Sequence, residues 1–284
     1  MTIYLNGQFM PVEDAKISVL DRGFIFGDGV YEVIPVYSRK AFRLSQHLQR
    51  LQHSLDGIQL PNPHDEAEWT EVLNHLIAAN DGDDQQLYLH VTRGVAKRDH
   101  AFPNPPVPPT VFAMSSPLLH PPAHLLETGV AAVTAEDNRW LRCDLKAISL
   151  LPNVLLRQRA VEAGCAETVL IRNGEFMTEG AASNIFVVRD GALYAPPKGH
   201  LMLPGITYDV ILELAAANGI PCHVGRVPVA ALHTADELLM TSSTREVLPI
   251  TQLDGQPVGN GRPGPLFAKL YSLYQTFKRE VMRA

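Results

Sequence analysis

Glu179-Gly180-Ala181-Ala182-Ser183-Asn184-Ile185-Phe186 begins thirty-three residues after Lys146, which closes the stretch Arg139-Trp140-Leu141-Arg142-Cys143-Asp144-Leu145-Lys146. A lysine amine among apolar neighbours loses its proton near neutral pH and condenses with an aldehyde. A buried carboxylate pairs with a protonated pyridine nitrogen. The two stretches together predict a site for an aldehyde-bearing pyridine. Taken singly, an exposed lysine and a solvated glutamate beside a turn are the ordinary fates of these residue types.

Such a ligand also needs donors for a charged group. Gly205-Ile206-Thr207 opens a predicted helix and supplies backbone N–H groups, a hydroxyl and the positive end of the helix dipole, as a phosphate requires. A plain threonine cap accounts for the same residues. Ser242-Ser243, after a predicted buried strand, is a second loop of this kind. Ser183 and Asn184 are expected to fix loop and cofactor by hydrogen bonds, although both types are routine in turns. Cys143 lies near Lys146 but has an apolar setting and no paired histidine nearby, which predicts a structural cysteine.

Glu-x-Ala-x-x-Asn-Ile-Phe, with the lysine upstream and Gly205-Ile206-Thr207 downstream, resembles the class IV aminotransferases, the fold type IV pyridoxal phosphate enzymes. The resemblance runs from Asp21-Arg22-Gly23 and Gly27-Asp28-Gly29-Val30-Tyr31-Glu32 to Thr241-Ser242-Ser243-Thr244-Arg245-Glu246. Arg-Trp-Leu-Arg-Cys-Asp-x-Lys, and Val91-Thr92-Arg93-Gly94 followed by Arg98-x-His100, resemble the D-amino acid branch most closely. Ala195, where the family often has threonine, and Tyr208, where a basic residue commonly follows the Gly-Ile-Thr turn, depart from the pattern. Neither position is expected to do chemistry.

The resemblance implies that Lys146 holds pyridoxal phosphate as a Schiff base and carries a proton between the substrate Cα and the cofactor, in ping-pong turnover. It implies that Glu179 keeps the pyridine nitrogen protonated, and that Leu203 supports the cofactor face, where a core leucine is the plain alternative. Arg50 would bind the phosphate; an arginine on the polar face of the helix bearing Leu48 and Leu51 is the bland reading. Tyr31, Arg98 and His100 resemble the D-specific carboxylate trap, and the Arg-x-His pair would reach the site from the neighbouring subunit of a homodimer with shared active sites. A solvated loop is the usual outcome for such a charged run. The implied reaction passes the amine of a D-amino acid, such as D-alanine, to a 2-oxo acid such as 2-oxoglutarate. The rivals on the same fold are a branched-chain L-aminotransferase, an (R)-amine transaminase and an aminodeoxychorismate lyase. A noncatalytic ligand-binding protein is the rival from another class.

Composition limits the partners. The chain has 284 residues, 46% hydrophobic and 19% charged, with a formal net charge of -6. That is globular composition, without an apolar run long enough to span a bilayer, and a negative chain is a poor partner for nucleic acid. Small molecules are the expected partners, with neither membrane nor metal. Three cysteines without ligand spacing suit free thiols, and Met1-Thr2-Ile3-Tyr4-Leu5-Asn6-Gly7 lacks the basic start and apolar core of a secretion signal, so a cytoplasmic location is expected.

The fold class expected is α/β (α+β): a small amino-terminal α/β domain over residues 1–120 and a larger, β-rich, pseudo-barrel domain with helices over 121–284, the latter holding the cofactor. Strands are predicted within 3–12 and 30–44, at 86–93, near 129–135, and at 168–172, 175–179, 184–189, 192–195 and 237–241, with Asn173-Gly174 and Asp190-Gly191 as hairpin turns. Leu44, Leu48, Leu51 and Leu55 mark a helix ending at Gly57, and others are predicted at 66–79, 153–163, 207–218 and 265–281. The Ser-, Pro- and Leu-rich stretch 114–122 reads as a crossing between domains.

Overall fold

A computed structural model describes residues 1–284, and the chain divides into two units. Unit 1 is Met1–Leu119 with Leu145–Leu150 and Arg283; unit 2 is His120–Asp144 with Leu151–Met282 and Ala284. Lys146 thus belongs to the first unit, on a short strip whose flanks belong to the second.

Unit 1 contains β1 (Thr2–Leu5), β2 (Gln8–Pro11), α1 (Arg22–Phe26), β3 (Gly29–Tyr37), β4 (Lys40–Ala41), α2 (Leu44–Gly57), α3 (Glu66–Ala79), β5 (Gln85–Thr92) and β6 (Thr110–Pro117). Its strands form one six-stranded sheet in the order β2-β1-β6-β5-β3-β4. Asn6 and Gly7 both take positive φ, and this lets β1 turn straight back into β2. The leucine spacing read in the sequence buries Leu48, Leu51 and Leu55 of α2 against Val30, Ile34, Val36 and Leu87. A capping box between Asp65 and Glu68 starts α3, which buries Trp69, Leu73 and Leu76 in the same core. Residues 114–117 are not a crossing, as the sequence suggested. They finish β6, paired with β5 as far as Pro117, because Ala113 and Ser115 alternate inward as a strand requires.

Unit 2 contains α4 (Ala123–Thr128), β7 (Val130–Glu136), α5 (Leu151–Glu162), β8 (Glu167–Arg172), β9 (Phe176–Gly180), β10 (Asn184–Arg189), β11 (Ala192–Ala195), α6 (Ile206–Ala217), β12 (Cys222–Val224), β13 (Val227–Pro228), α7 (Val229–His233), β14 (Glu237–Ser242), β15 (Glu246–Leu253), β16 (Gln256–Pro257) and α8 (Pro265–Phe277). Sequence reading missed β15, whose central run from Glu246 to Thr251 is buried without alternation. The ladder runs β12-β11-β10-β14-β15-β7-β8-β9-β13, with β16 on β15.

That order has a geometric consequence. Five ladder steps separate β10 from β9, which would be about 24 Å across a flat sheet. Yet only residues 181–183 join Gly180 to Asn184, and that link spans at most about 14 Å. The sheet must curl to let the chain cross, and the backbone N–H of Gly180 donates to the carbonyl of Ser183 at 2.7 Å as it does so. The curl brings Glu179 at the end of β9 beside Asn184 at the start of β10. Mixed helices and strands around a curled sheet are the α/β class expected. No helix is long and apolar enough to cross a membrane.

Candidate active site

In unit 2, Asn184 and Leu203, two of the expected residues, meet at Glu179. It is buried, 4% exposed, and Arg139 Nη1 donates to its Oε1 at 2.6 Å. The Leu203 backbone N–H donates to the same oxygen at 3.2 Å, and Asn184 Nδ2 to Oε2 at 3.3 Å. Asn184 Nδ2 also donates to the Leu203 carbonyl at 3.0 Å, tying the approach to α6 onto β10. Gly205 is required there, since a Cβ at that position would stand 2.0 Å from Asn184 Oδ1.

Burial pushes the Glu179 carboxyl up to about 7, against the opposing charge and hydrogen bond of Arg139. Arg139 is divided: Nε and Nη2 both donate to Asp137 at 2.9 Å, and Asp137 also accepts from Thr178 Oγ1 at 2.7 Å. The better-served Asp137 is held below the usual carboxylate range: burial acts to raise it, and Arg139 and Thr178 outweigh that. Glu179 is thus an acid whose anion gains strongly from one more cationic partner.

The phosphate-type donors have the expected setting. Gly205 precedes α6 without any side-chain cap, so the first N–H groups of that helix, at Ile206 and Thr207, face no capping oxygen. Thr207 is buried. Thr241, opposite Asn184 in the ladder, has a buried hydroxyl with no hydrogen-bond partner, and leads into Ser242-Ser243. The Ser242 hydroxyl accepts the Arg245 N–H at 3.1 Å. Ser183 points elsewhere: its hydroxyl donates to Glu167 Oε2 at 2.7 Å, and Glu167 Oε1 accepts from the N–H groups of Thr168 and Ala181. Burial raises the Cys143 thiol to about 11, keeping it protonated.

In unit 1, Lys146 is half-buried, with Nζ 4.3 Å from the centre of the Tyr31 ring. Its backbone is fixed on both sides: its N–H donates to Ser54 Oγ at 3.0 Å, and its carbonyl accepts from Tyr31 N at 2.9 Å. Arg50, one turn before Ser54 on α2, donates from Nε and Nη2 to the two oxygens of Glu32, each at 2.8 Å. His47, a turn earlier, places Nδ1 2.8 Å from the same carboxylate, and burial lowers its proton affinity, so the ring is neutral and Nδ1–H is the donor. Burial acts to raise Glu32, but Arg50 and His47 together hold it far below the usual range.

Arg98 and His100 are exposed and flank one ring: the Arg98 guanidinium lies 5.4 Å from the centre of Phe26, and His100 5.3 Å. Buried Arg22 fixes their loop by donating to the carbonyls of Asp99 at 2.6 Å and Ala101 at 3.1 Å, while its Nε donates to Asp28 at 2.8 Å. Arg93 Nε shares that Asp28 oxygen, Oδ2, at 2.8 Å and its Nη2 donates to Oδ1 at 3.0 Å; burial would raise Asp28, but the hydrogen bonds of Arg93 and Arg22 hold it low. Sequence reading gave no role to Asp137, Arg139, Glu32, His47, Arg22 or Asp28. The Asp137-x-Arg139 spacing ahead of the lysine was a usable signal, since a lone buried acid at 179 needs a cation to offset it.

A family model for amino-transferase class IV matches residues 29–253. This chain belongs to the class IV aminotransferases. As such it is a pyridoxal phosphate-dependent transaminase, acting on small amino and oxo acids. The class IV chain is 40% identical to the D-alanine aminotransferase of Staphylococcus aureus (strain MW2) over 275 residues, 97% of each. Its fold is similar to the branched-chain amino acid aminotransferase of Escherichia coli, with a TM-score of 0.89 and 28% identity over 97% of this chain and 93% of that one. The branched-chain aminotransferase of the archaeon Thermoproteus uzoniensis, solved with norvaline, gives a TM-score of 0.87 at 26% identity over 100% of this chain and 97% of that chain. The donor set suits the cofactor of this class. A buried acid lacking one cation matches a pyridinium, and the uncapped start of α6 with the orphaned Thr241 hydroxyl matches a phosphate.

Proposed function

We propose that this class IV enzyme takes the amine of a D-amino acid such as D-alanine and passes it to a 2-oxo acid such as 2-oxoglutarate, by ping-pong turnover. Likeness to the D-alanine aminotransferases over nearly the whole chain carries the reading. The placing of Arg98 and His100 on one pinned loop, both against Phe26, supports it. When bound, pyridoxal phosphate supplies an aldehyde for covalent capture of the amine and a ring that accepts the electron pair left at Cα.

This chain's side chains do the rest. Lys146 Nζ would be the covalent anchor and then the base that carries a proton between the substrate Cα and C4′ of the cofactor. Glu179, anchored by Arg139, Leu203 N–H and Asn184, holds a proton at the pyridine nitrogen. The backbone of Gly205, Ile206 and Thr207, with Ser242, Ser243 and Arg50, binds the phosphate; Leu203 backs the ring and Ser183 braces the loop through Glu167. Tyr31, Arg98 and His100 hold the substrate carboxylate so that a D-configured Cα–H meets the lysine. A homodimer, sharing Arg98 and His100 across subunits, is part of this reading, as are a cytoplasmic location and domains over 1–120 and 121–284, with Leu145–Leu150 lent by the second to the first.

The test offers purified holoenzyme D-alanine or L-leucine with 2-oxoglutarate. Turnover with D-alanine is expected; exclusive use of L-leucine rejects the D-specific reading and favours the branched-chain activity named for the structural relatives.

A further inference from the structure

A cavity of about 220 Å³ opens within unit 2, and none of its walls belongs to the cofactor and substrate residues assigned above. Arg245 and Glu246 at the start of β15, Lys278 and Tyr271 at the carboxyl-terminal helix, and Leu126 of α4 line it. The charges are unevenly matched. Glu246 is satisfied: Lys278 Nζ makes a short bond to its Oε1, and Gln275 Nε2 donates to its Oε2 at 2.8 Å. Arg245 has no such carboxylate. Its half-buried guanidinium donates from Nη1 to the carbonyl of Ala166 at 3.0 Å, and to nothing else.

Burial lowers the proton affinity of Arg245; Glu167 opposes this and Arg157 adds to it. A half-buried guanidinium with no anion in contact is costly, and its planar fork suits a carboxylate or phosphate. Leu126 and the Tyr271 ring supply apolar wall, which favours an anion with a hydrocarbon body over a bare oxyanion. We propose that this cavity binds a small organic carboxylate, with Arg245 clamping the carboxylate and Leu126 and Tyr271 covering its alkyl part.

Isothermal titration of the holoenzyme with butyrate tests this, beside Arg245→Gln and Leu126→Trp variants checked for unchanged unfolding temperature. Binding is expected in the parent, weakened at least about tenfold in Arg245→Gln by loss of a charge-assisted pair, and absent in Leu126→Trp, where the indole fills the space. KM and kcat should hold in both. Leu126→Trp keeps the guanidinium and removes the cavity, so it remains informative if Arg245→Gln folds poorly. Equal isotherms in parent and variants, or inorganic phosphate binding more tightly than butyrate, overturns the proposal.

Discussion

Two buried glutamates, one in each unit, each accept from three donors and show how the share of an arginine sets a carboxyl's character. Glu32 is wholly buried, yet Arg50 grips both its oxygens and His47 adds a third donor, so it stays an anion. Glu179 is buried almost as deeply and also meets an arginine, but Arg139 commits two of its three nitrogens to Asp137. Burial then prevails and the carboxyl rises to about 7. Glu32 is complete within its own protein surroundings, whereas Glu179 is left short of one cation, which is what its proposed role beside a cationic ring requires.

The comparison is tested most severely through Lys146. Lys146→Ala should abolish turnover and the visible absorbance gained on adding pyridoxal phosphate; retained activity breaks the assignment of both regions to one enzyme. Glu179→Gln cannot hold the pyridine proton, and kcat should fall by roughly 10²- to 10⁴-fold while the protein stays folded. Glu32→Leu should do the reverse in kind: with the buried Arg50 guanidinium deprived of the carboxylate it grips, the fold should lose on the order of 3–5 kcal/mol in urea unfolding.

The two acids should also tilt the stability of cofactor-free protein in opposite directions with pH. Glu179 has a raised folded pKa, so the folded state holds its proton longer than the unfolded chain does. Its contribution is present below the ordinary carboxylate value and is lost as pH rises to about 7, by up to about 3 kcal/mol. Glu32 is lowered, so its contribution is full above the ordinary value and disappears only as pH falls below it. Urea unfolding between pH 4 and 8 should show the parent's margin over Glu179→Gln shrinking as pH rises towards about 7, and its margin over Glu32→Gln growing only near the ordinary carboxylate value and level above it. The smallest effect expected lies outside the pair: Asp65→Ala, which removes the capping box of α3, should cost about 1 kcal/mol without touching catalysis.

Local periodicity made much of this fold legible. The α2 leucines, the α3 helix and the hairpins at Asn173-Gly174 and Asp190-Gly191 each carry their signal within a few residues. β15 was not legible because a strand buried on both faces has no alternation to read, and the end of β6 was hidden by serines and a proline that suit a linker equally well. The acid and the lysine were read from motif chemistry alone. Their supports were not legible. Asp137, Arg139 and Thr178 are separated by up to 41 residues, and Arg22 reaches the Asp99 carbonyl across 77, so only the folded chain unites them. Ser183 shows the converse: a residue inside the most telling motif, whose hydroxyl serves Glu167.

The strip Leu145–Leu150 belongs to unit 1 although its neighbours on both sides belong to unit 2. Its carbonyl at Lys146 accepts from Tyr31, and its Ile148 N–H donates to Gly29, so it is stitched to the start of β3. Genes divided near codon 120 would therefore produce an amino-terminal fragment deprived of that stitch and a carboxyl-terminal one with Lys146 stranded on an unpaired loop. Reconstituting the enzyme from such halves would demand that they exchange a segment while folding, making co-expression, rather than mixing of finished pieces, the practicable route.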